Sequence, residues 1–362
     1  MQDKDSRLLP GQRVRARGAD SNATGRFEPR VTVAADDGWD MAEDERLIRT
    51  EVRVERPRSA RSYNTSPDIP FDRSINPYRG CEHGCIYCFA RPTHAYLNLS
   101  PGLDFETRLI ARPGIAEVLV GELRAKSYKV ATVAIGTNTD PYQPLEAEHR
   151  LMREVLAVLS ACNHPLAITT KGTLIERDID LLAPMAAKGL LRVGISITTL
   201  DPALSRALEP RAPSPARRLQ MISRLSDAGI PVRAMLAPVI PGLTDPEIDP
   251  LLAAVAEAGA QAASWIMLRL PLEVSPLFQD WLASHVPGRA AKVMARVRES
   301  HGGADYRADW GKRMRGEGIW SDLIRQRFDL ALARNGLKKE MPPLSCDLFA
   351  PPVQAGDQMS LF

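Results

Sequence analysis

From Ile69 onward, apolar and polar positions follow two alternating periods. Short β-branched and apolar runs at residues 130–136, 165–170, 192–198, 232–238 and 262–268 predict strands. Between them, residues 145–160, 173–188, 213–228 and 245–258 carry apolar side chains at helical spacing and predict amphipathic helices. Regular strand–helix alternation implies a parallel sheet covered by helices. With one more strand just before Cys81, the pattern counts six βα units. Six are too few for a closed eightfold barrel and enough for an α/β fold of the partial (β/α)6 TIM-like barrel type. An open doubly wound sheet is the alternative.

The flanks break this rhythm. Residues 1–65 are polar and interrupted, and read as a partly disordered extension with strands at 30–34 and 49–54. Arg46, Arg49, Arg53, Arg56, Arg58 and Arg61 recur through it, a pattern that fits a solvated arm better than a nucleic-acid contact. Past residue 287, helices are expected at 290–300 and 319–334, around a basic, aromatic loop holding Tyr306, Trp310, Lys312, Arg313, Arg315 and Trp320. The Pro- and Gly-rich tail predicts no regular structure. The expected division is therefore extension 1–65, barrel 66–289, helical region 290–342 and flexible tail 343–362.

Composition changes this picture only slightly. A net charge of +3 over 362 residues is too small to imply nucleic-acid binding on its own. No apolar run reaches the roughly 18 residues of a membrane helix. Residues 230–241 contain Arg233, and residues 251–268 contain Glu257. The first five residues lack the apolar stretch of a secretory signal. A cytoplasmic protein without membrane contact is the expectation, and cytosolic cysteines are seldom disulfide-bonded.

Three of the five cysteines stand together in Arg79-Gly80-Cys81-Glu82-His83-Gly84-Cys85-Ile86-Tyr87-Cys88-Phe89. An iron–sulfur cluster normally takes four protein ligands. A Cys-x3-Cys-x2-Cys run with no fourth cysteine nearby suggests a cluster with one open corner. Zinc on Cys81, His83, Cys85 and Cys88 competes. Structural zinc sites, however, usually pair two short motifs across a longer loop, so His83 is expected to hydrogen-bond locally. Cys162 is expected to be a small buried hydrophobe, and Cys346 falls in the tail. Chemistry in parallel α/β folds gathers at the carboxyl ends of strands. The second strand ends in 136–142, with Thr139 and Asp140. The third ends in Thr169-Thr170-Lys171-Gly172, and the fourth carries Ser196, Thr198, Thr199 and Asp201. These polar residues share one rim with the cysteines.

The Cys-x3-Cys-x-aromatic-Cys signature, with Cys81, Cys85, Tyr87 and Cys88, resembles the radical S-adenosylmethionine (SAM) superfamily. The runs Asn76-Pro77-Tyr78-Arg79-Gly80-Cys81 and Thr139-Asp140-Pro141-Tyr142-Gln143-Pro144 resemble its branch related to spore photoproduct lyase. Thr170-Lys171 and Arg177-Asp178-Ile179-Asp180-Leu181-Leu182 do so too, and the likeness spans roughly residues 69–270. It implies a [4Fe–4S] cluster on Cys81, Cys85 and Cys88 whose open iron chelates S-adenosylmethionine. Reductive cleavage to a 5′-deoxyadenosyl radical would follow, fed by a flavodoxin- or ferredoxin-type donor. It also implies Tyr87 beside the adenine with Phe89 as an apolar wall, and Thr139 and Asp140 near the methionyl amino group. Lys171 would meet the carboxylate, and Ser196 the ribose or methionine moiety. One departure limits the carry-over. Spore photoproduct lyases place a hydrogen-donating cysteine near the end of the second strand, and residues 134–140 contain none here.

The chain ends Gln358-Met359-Ser360-Leu361-Phe362, similar to the motif by which bacterial DNA-repair and replication proteins dock on the sliding clamp. Together with the basic, aromatic loop it points to a radical SAM enzyme, lyase-like in class, acting on a DNA-related substrate in repair. The alternatives are a radical enzyme for a small molecule or protein, and a non-catalytic iron–sulfur redox protein recruited to the clamp.

Overall fold

The β-branched and apolar runs form strands in a computed structural model that describes residue 14 and residues 16–28 and 48–353. Among the described residues there are ten strands: β1 (Glu51–Val54), β2 (Arg61–Tyr63), β3 (Arg73–Ile75), β4 (Tyr78–Arg79), β5 (Arg108–Ala111), β6 (Val133–Ile135), β7 (Leu166–Thr170), β8 (Leu191–Ser196), β9 (Val232–Val239) and β10 (Ala262–Met267). One sheet has the order β10-β9-β8-β7-β6-β3-β2. Its six strands β3 and β6–β10 pair in parallel and in chain order, and β2 adds an antiparallel edge. A doubly wound sheet reverses its order part-way; this one does not. The fold is a partial (β/α)6 barrel whose edge strands are β10 and β2, and on its free side β10 meets only an isolated parallel bridge from Ala262 to Lys338 among the described residues.

The side chains explain the layers. Val133, Ile135, Leu166, Ile168, Val193, Ile195 and Val232 lie in one core with Val155, Leu159, Leu182, Ile222 and Leu252 from the covering helices. Strand β8 is buried on both faces along most of its length, as a covered parallel strand should be.

The expected helix over 145–160 is two helices, Glu146–His149 and Leu151–Ala161, divided at Arg150 with φ 52°. The break follows from Glu146, which is buried inside the fold. Its carboxylate accepts from Tyr78 Oη (2.5 Å), Arg177 Nη2 (2.6 Å) and Met152 N (3.1 Å). The segment 173–188 likewise opens as a 3-10 turn, Thr173–Asp178, before the helix Ile179–Ala187. Helices Ile115–Leu123, Pro202–Leu208 and Val274–His285 were not among the expected elements.

Two expectations about the flanks need correction. The strand expected at 30–34 lies outside the described residues, but the described part of residues 1–65 is built into the fold. Strand β1 pairs in parallel with β5, Arg61 meets Glu122 at 2.6 Å, and Val14, Arg17 and Ala19 are buried. Of the described arginines in that series, Arg49, Arg53, Arg56 and Arg58 are exposed as a solvated arm would be, and Arg61 is half-buried. The tail is also docked as far as it is described. Phe349 packs edge-on against Tyr128 and His164, and Ala350 N donates to Cys162 O (3.1 Å). Cys162 is buried in the core. Cys346 lines a surface cleft with Asn64, Phe71 and Thr132, at the amino ends of β3 and β6.

Candidate functional site

The cysteine loop follows β3 and β4 at the carboxyl end of the barrel, and its backbone is gripped from three sides. Within the loop, Gly84 N donates to Cys81 O (3.4 Å) and Cys88 N to Cys85 O (3.2 Å). The fully buried Arg91 donates to Cys85 O (2.9 Å), Gly84 O (3.2 Å) and Gly102 O (2.9 Å) and pairs with Glu106 at 2.5 Å. Glu106 then accepts from Gly18 N and Ala19 N, both at 2.9 Å, so residues 16–28 close over the loop. The approach is tight. A Cβ on Gly18 would stand 1.8 Å from Gly84 O, and Gly84 itself has φ +66°. From the barrel side, Gln143 Oε1 accepts from Glu82 N (2.9 Å) and Gln143 Nε2 donates to Gly80 O (3.1 Å).

Cys81 and Cys85 are buried and Cys88 is half-buried. Burial, then Asp140 and the two other sulfurs, push the Cys81 thiol well above its ordinary range. Burial raises Cys85 to about 12, although Lys171 opposes it. Bare thiolates are therefore costly here, whereas a cationic metal would stabilise them. Among the described residues, no three His, Cys, Asp or Glu side chains are arranged to hold a single metal ion. His83 Nδ1 faces Asp140 Oδ2 at 3.3 Å, off the angle for a hydrogen bond, and so points toward the barrel rim.

The sequence-predicted rim residues come together beside the loop. Asp140 Oδ1 accepts from Thr170 Oγ1 (2.5 Å) and Tyr142 N (2.9 Å), and Asp140 Oδ2 from Lys171 N (2.7 Å). Burial would raise its pKa, but His83 and these hydrogen bonds hold it below the usual carboxylate range. Thr139 Oγ1 donates to Tyr78 O (3.2 Å). Lys171 Nζ lies 4.0 Å from Glu209 Oε1 and 5.8 Å from the Tyr87 ring centroid. Burial works against its charge, yet Cys85 and Glu209 keep its pKa above the ordinary value. Ser196, at the end of β8, gives its carbonyl to Arg218 Nη1 (3.0 Å). Phe89 stays 47% exposed. Thr199 and Asp201 turn away: Thr199 donates to Glu247 (2.6 Å), and Asp201 caps helix Pro202–Leu208.

Glu209, Arg218, Arg91, Glu106 and the strap at 16–28 carry much of this site, and sequence reasoning missed them. Glu209 accepts from Tyr87 Oη, from Arg218 Nη2 and from Thr198 Oγ1 (3.1 Å), all buried. Burial opposes its charge, but Arg218 and Lys171 hold its pKa down at about 2. No spacing marks a lone Glu between two helices. Only the excess of buried cations around it could have shown that an anion was required.

The model of the Radical SAM superfamily matches residues 75–255, from β3 into helix Ile248–Glu257. The chain belongs to the radical SAM superfamily. An uncharacterised protein of Mycobacterium bovis is 42% identical over 240 residues, 66% of this chain and 69% of its own. An uncharacterised protein of Methanocaldococcus jannaschii is 28% identical over 174 residues, 48% of this chain and 62% of its own. Among solved structures, a mutant of spore photoproduct lyase superposes with TM-score 0.54 at 16% identity, covering 79% of this chain and 80% of that one. Spore photoproduct lyase complexed with dinucleoside spore photoproduct gives 0.53 at 16% identity, with 78% of each chain covered. At that identity the likeness establishes a shared radical SAM fold.

Proposed function

We propose that this radical SAM protein holds a [4Fe–4S] cluster on Cys81, Cys85 and Cys88, binds S-adenosylmethionine at the adjoining rim and acts on a DNA-related substrate. Superfamily membership supports reductive cleavage of S-adenosylmethionine in general. The observation that carries the rest is the three-cysteine loop, gripped by Arg91 and Gln143 and faced by the buried Lys171 ammonium. Three soft thiol donors with no carboxylate among them suit iron–sulfur ligation. When bound, the cluster and S-adenosylmethionine supply one-electron cleavage to a 5′-deoxyadenosyl radical.

The chain's own residues bind and orient. Lys171 offers a desolvated cation to the methionyl carboxylate, and Glu209 fixes both Lys171 and Tyr87. Tyr87 presents a buried aromatic face for the adenine. Thr139 and Asp140 would face the methionyl amino group, and they shape the rim through Tyr78 O and Lys171 N–H. Ser196, at the carboxyl end of β8, would serve the ribose or methionine moiety. A flavodoxin- or ferredoxin-type donor would supply the electron.

The substrate proposal draws on the lesion-bound structural neighbour and on the basic, aromatic loop, without adopting that neighbour's repair reaction. Its hydrogen-donor cysteine has no counterpart in 134–140, and Cys162 and Cys346 lie toward the opposite ends of the strands. The reconstituted protein is to be incubated anaerobically with ultraviolet-irradiated DNA, dithionite and S-adenosylmethionine, and its nucleosides analysed. A nucleoside that changes only in the complete mixture supports a DNA substrate. Unchanged DNA together with 5′-deoxyadenosine formation removes it.

A further inference from the structure

Arg269 lies two residues beyond β10, on the open edge of the barrel. Its guanidinium carbon sits 4.3 Å from the Phe89 ring centroid, and its one hydrogen bond is a weak contact to Met314 Sδ at 3.8 Å. A guanidinium carries five N–H donors. Among the described residues, no carboxylate or carbonyl takes any of Arg269's. Neighbouring cations are satisfied. Arg313 pairs with Asp68 (2.6 Å) and Ser66 (2.6 Å), Arg315 donates to Trp265 O (2.8 Å), and Lys312 meets Glu317 (2.7 Å). Burial lowers the pKa of Arg269, and Tyr306, Arg313, Cys88 and Asp68 are near enough to act on its charge. A half-buried cation without an anionic or carbonyl acceptor is costly, and an acceptor from outside the chain would reduce that cost. Beside it, Phe89 is 47% exposed, and the neighbouring Arg313 stacks at 4.2 Å on Trp310, which is 56% exposed.

We infer that Arg269, with the open faces of Phe89 and Trp310, forms a binding site for a single nucleic-acid strand, Arg269 taking a backbone phosphate and the rings stacking bases. Cationic grooves lined by aromatic rings bind single strands in this way. The site rests on the proposed function and deepens it, because it lies beside Cys88 and names the substrate class.

The test is fluorescence anisotropy with a 5′-labelled oligothymidylate 12-mer and the full, reconstituted chain, titrated at several salt concentrations. Arg269→Gln is expected to weaken binding about tenfold and to reduce the salt slope by about one. Arg269→Lys should recover part of the loss, and Trp310→Ala should weaken binding at every salt concentration. Equilibrium dialysis against labelled S-adenosylmethionine is run on the same variants. Equal strand binding by wild type, Arg269→Gln and Trp310→Ala overturns the proposal. So does loss of S-adenosylmethionine binding with strand binding intact, which makes Arg269 a cofactor ligand. Competition by polyglutamate as strong as by unlabelled strand also overturns it, because the site would then read charge alone. Strand binding is measured without turnover, so its failure is separate from any failure to form 5′-deoxyadenosine.

Discussion

Glu209 sits among Arg218, Lys171 and the Tyr87 hydroxyl with almost no exposure to water. Breaking a buried ion pair by removing one partner leaves the other charge uncompensated, at a cost of about 3–5 kcal/mol. Glu209→Ala is therefore expected to lower unfolding stability by about that amount, read by denaturant titration. The pH dependence has a definite sign. Folding lowers the Glu209 pKa from 4.5 to about 2, so its ionised form is favoured by the fold. That contribution is complete above about pH 4.5 and is lost as pH falls toward 2. The stability gap between wild type and Glu209→Gln should accordingly narrow as pH falls from 5 to 3. A gap that widens on acidification would show that Glu209 is not held ionised.

The cysteine loop, the strand-end segment 139–146 and the amino-terminal strap act as one assembly. The sequence made the cysteines, Thr139, Asp140 and Lys171 legible because they stand in short, regularly placed motifs. It did not show that several motif residues face one another. Tyr78 binds Glu146, Gln143 binds Gly80 and Glu82, and Tyr142 Oη binds Asp178 at 3.2 Å. Those contacts span 36 to 68 residues, and no local pattern encodes them. The strap was illegible for the same reason, since its grip on Gly84 and Glu106 depends on backbone amides and a missing Cβ. Gly18→Ala tests it. The added methyl cannot share space with Gly84 O, and overpacking of this kind costs about 1–3 kcal/mol. The variant should lose bound iron severalfold faster than wild type during gel filtration after reconstitution, with its far-ultraviolet circular dichroism unchanged. Equal iron retention would show that the strap does not support the loop.

Across the whole molecule, the strand rhythm sufficed for the barrel because strands β6–β10 carry mostly apolar runs that are largely buried. The docked flanks were not legible. Phe349 lies in a proline-rich segment with no periodicity, and Tyr128 and His164, far away in sequence, seat it half-buried against the core. This tail also gives the molecule two ends. Arg124 Nη1 to Pro352 O at 2.6 Å, an anchor of the described tail, and the Phe349 seat lie toward the amino ends of the strands, whereas the cysteine loop is at the carboxyl ends. Residues Gln358–Phe362 lie outside the described residues, and their docking on a sliding clamp is a proposal that this polarity suits. Deleting 358–362 should abolish co-elution with purified clamp while S-adenosylmethionine binding is retained. Equal co-elution would remove the proposal.

The central claim is that Cys81, Cys85 and Cys88 hold a cluster that cleaves S-adenosylmethionine reductively, and it is tested by 5′-deoxyadenosine itself. The protein is reconstituted anaerobically with iron and sulfide, then mixed with dithionite and S-adenosylmethionine and followed by liquid chromatography. Wild type should form 5′-deoxyadenosine and methionine in time-dependent fashion, and Cys81→Ala, Cys85→Ala and Cys88→Ala should each lose the product with the cluster absorbance. An intact cluster in wild type that yields no 5′-deoxyadenosine would contradict the account.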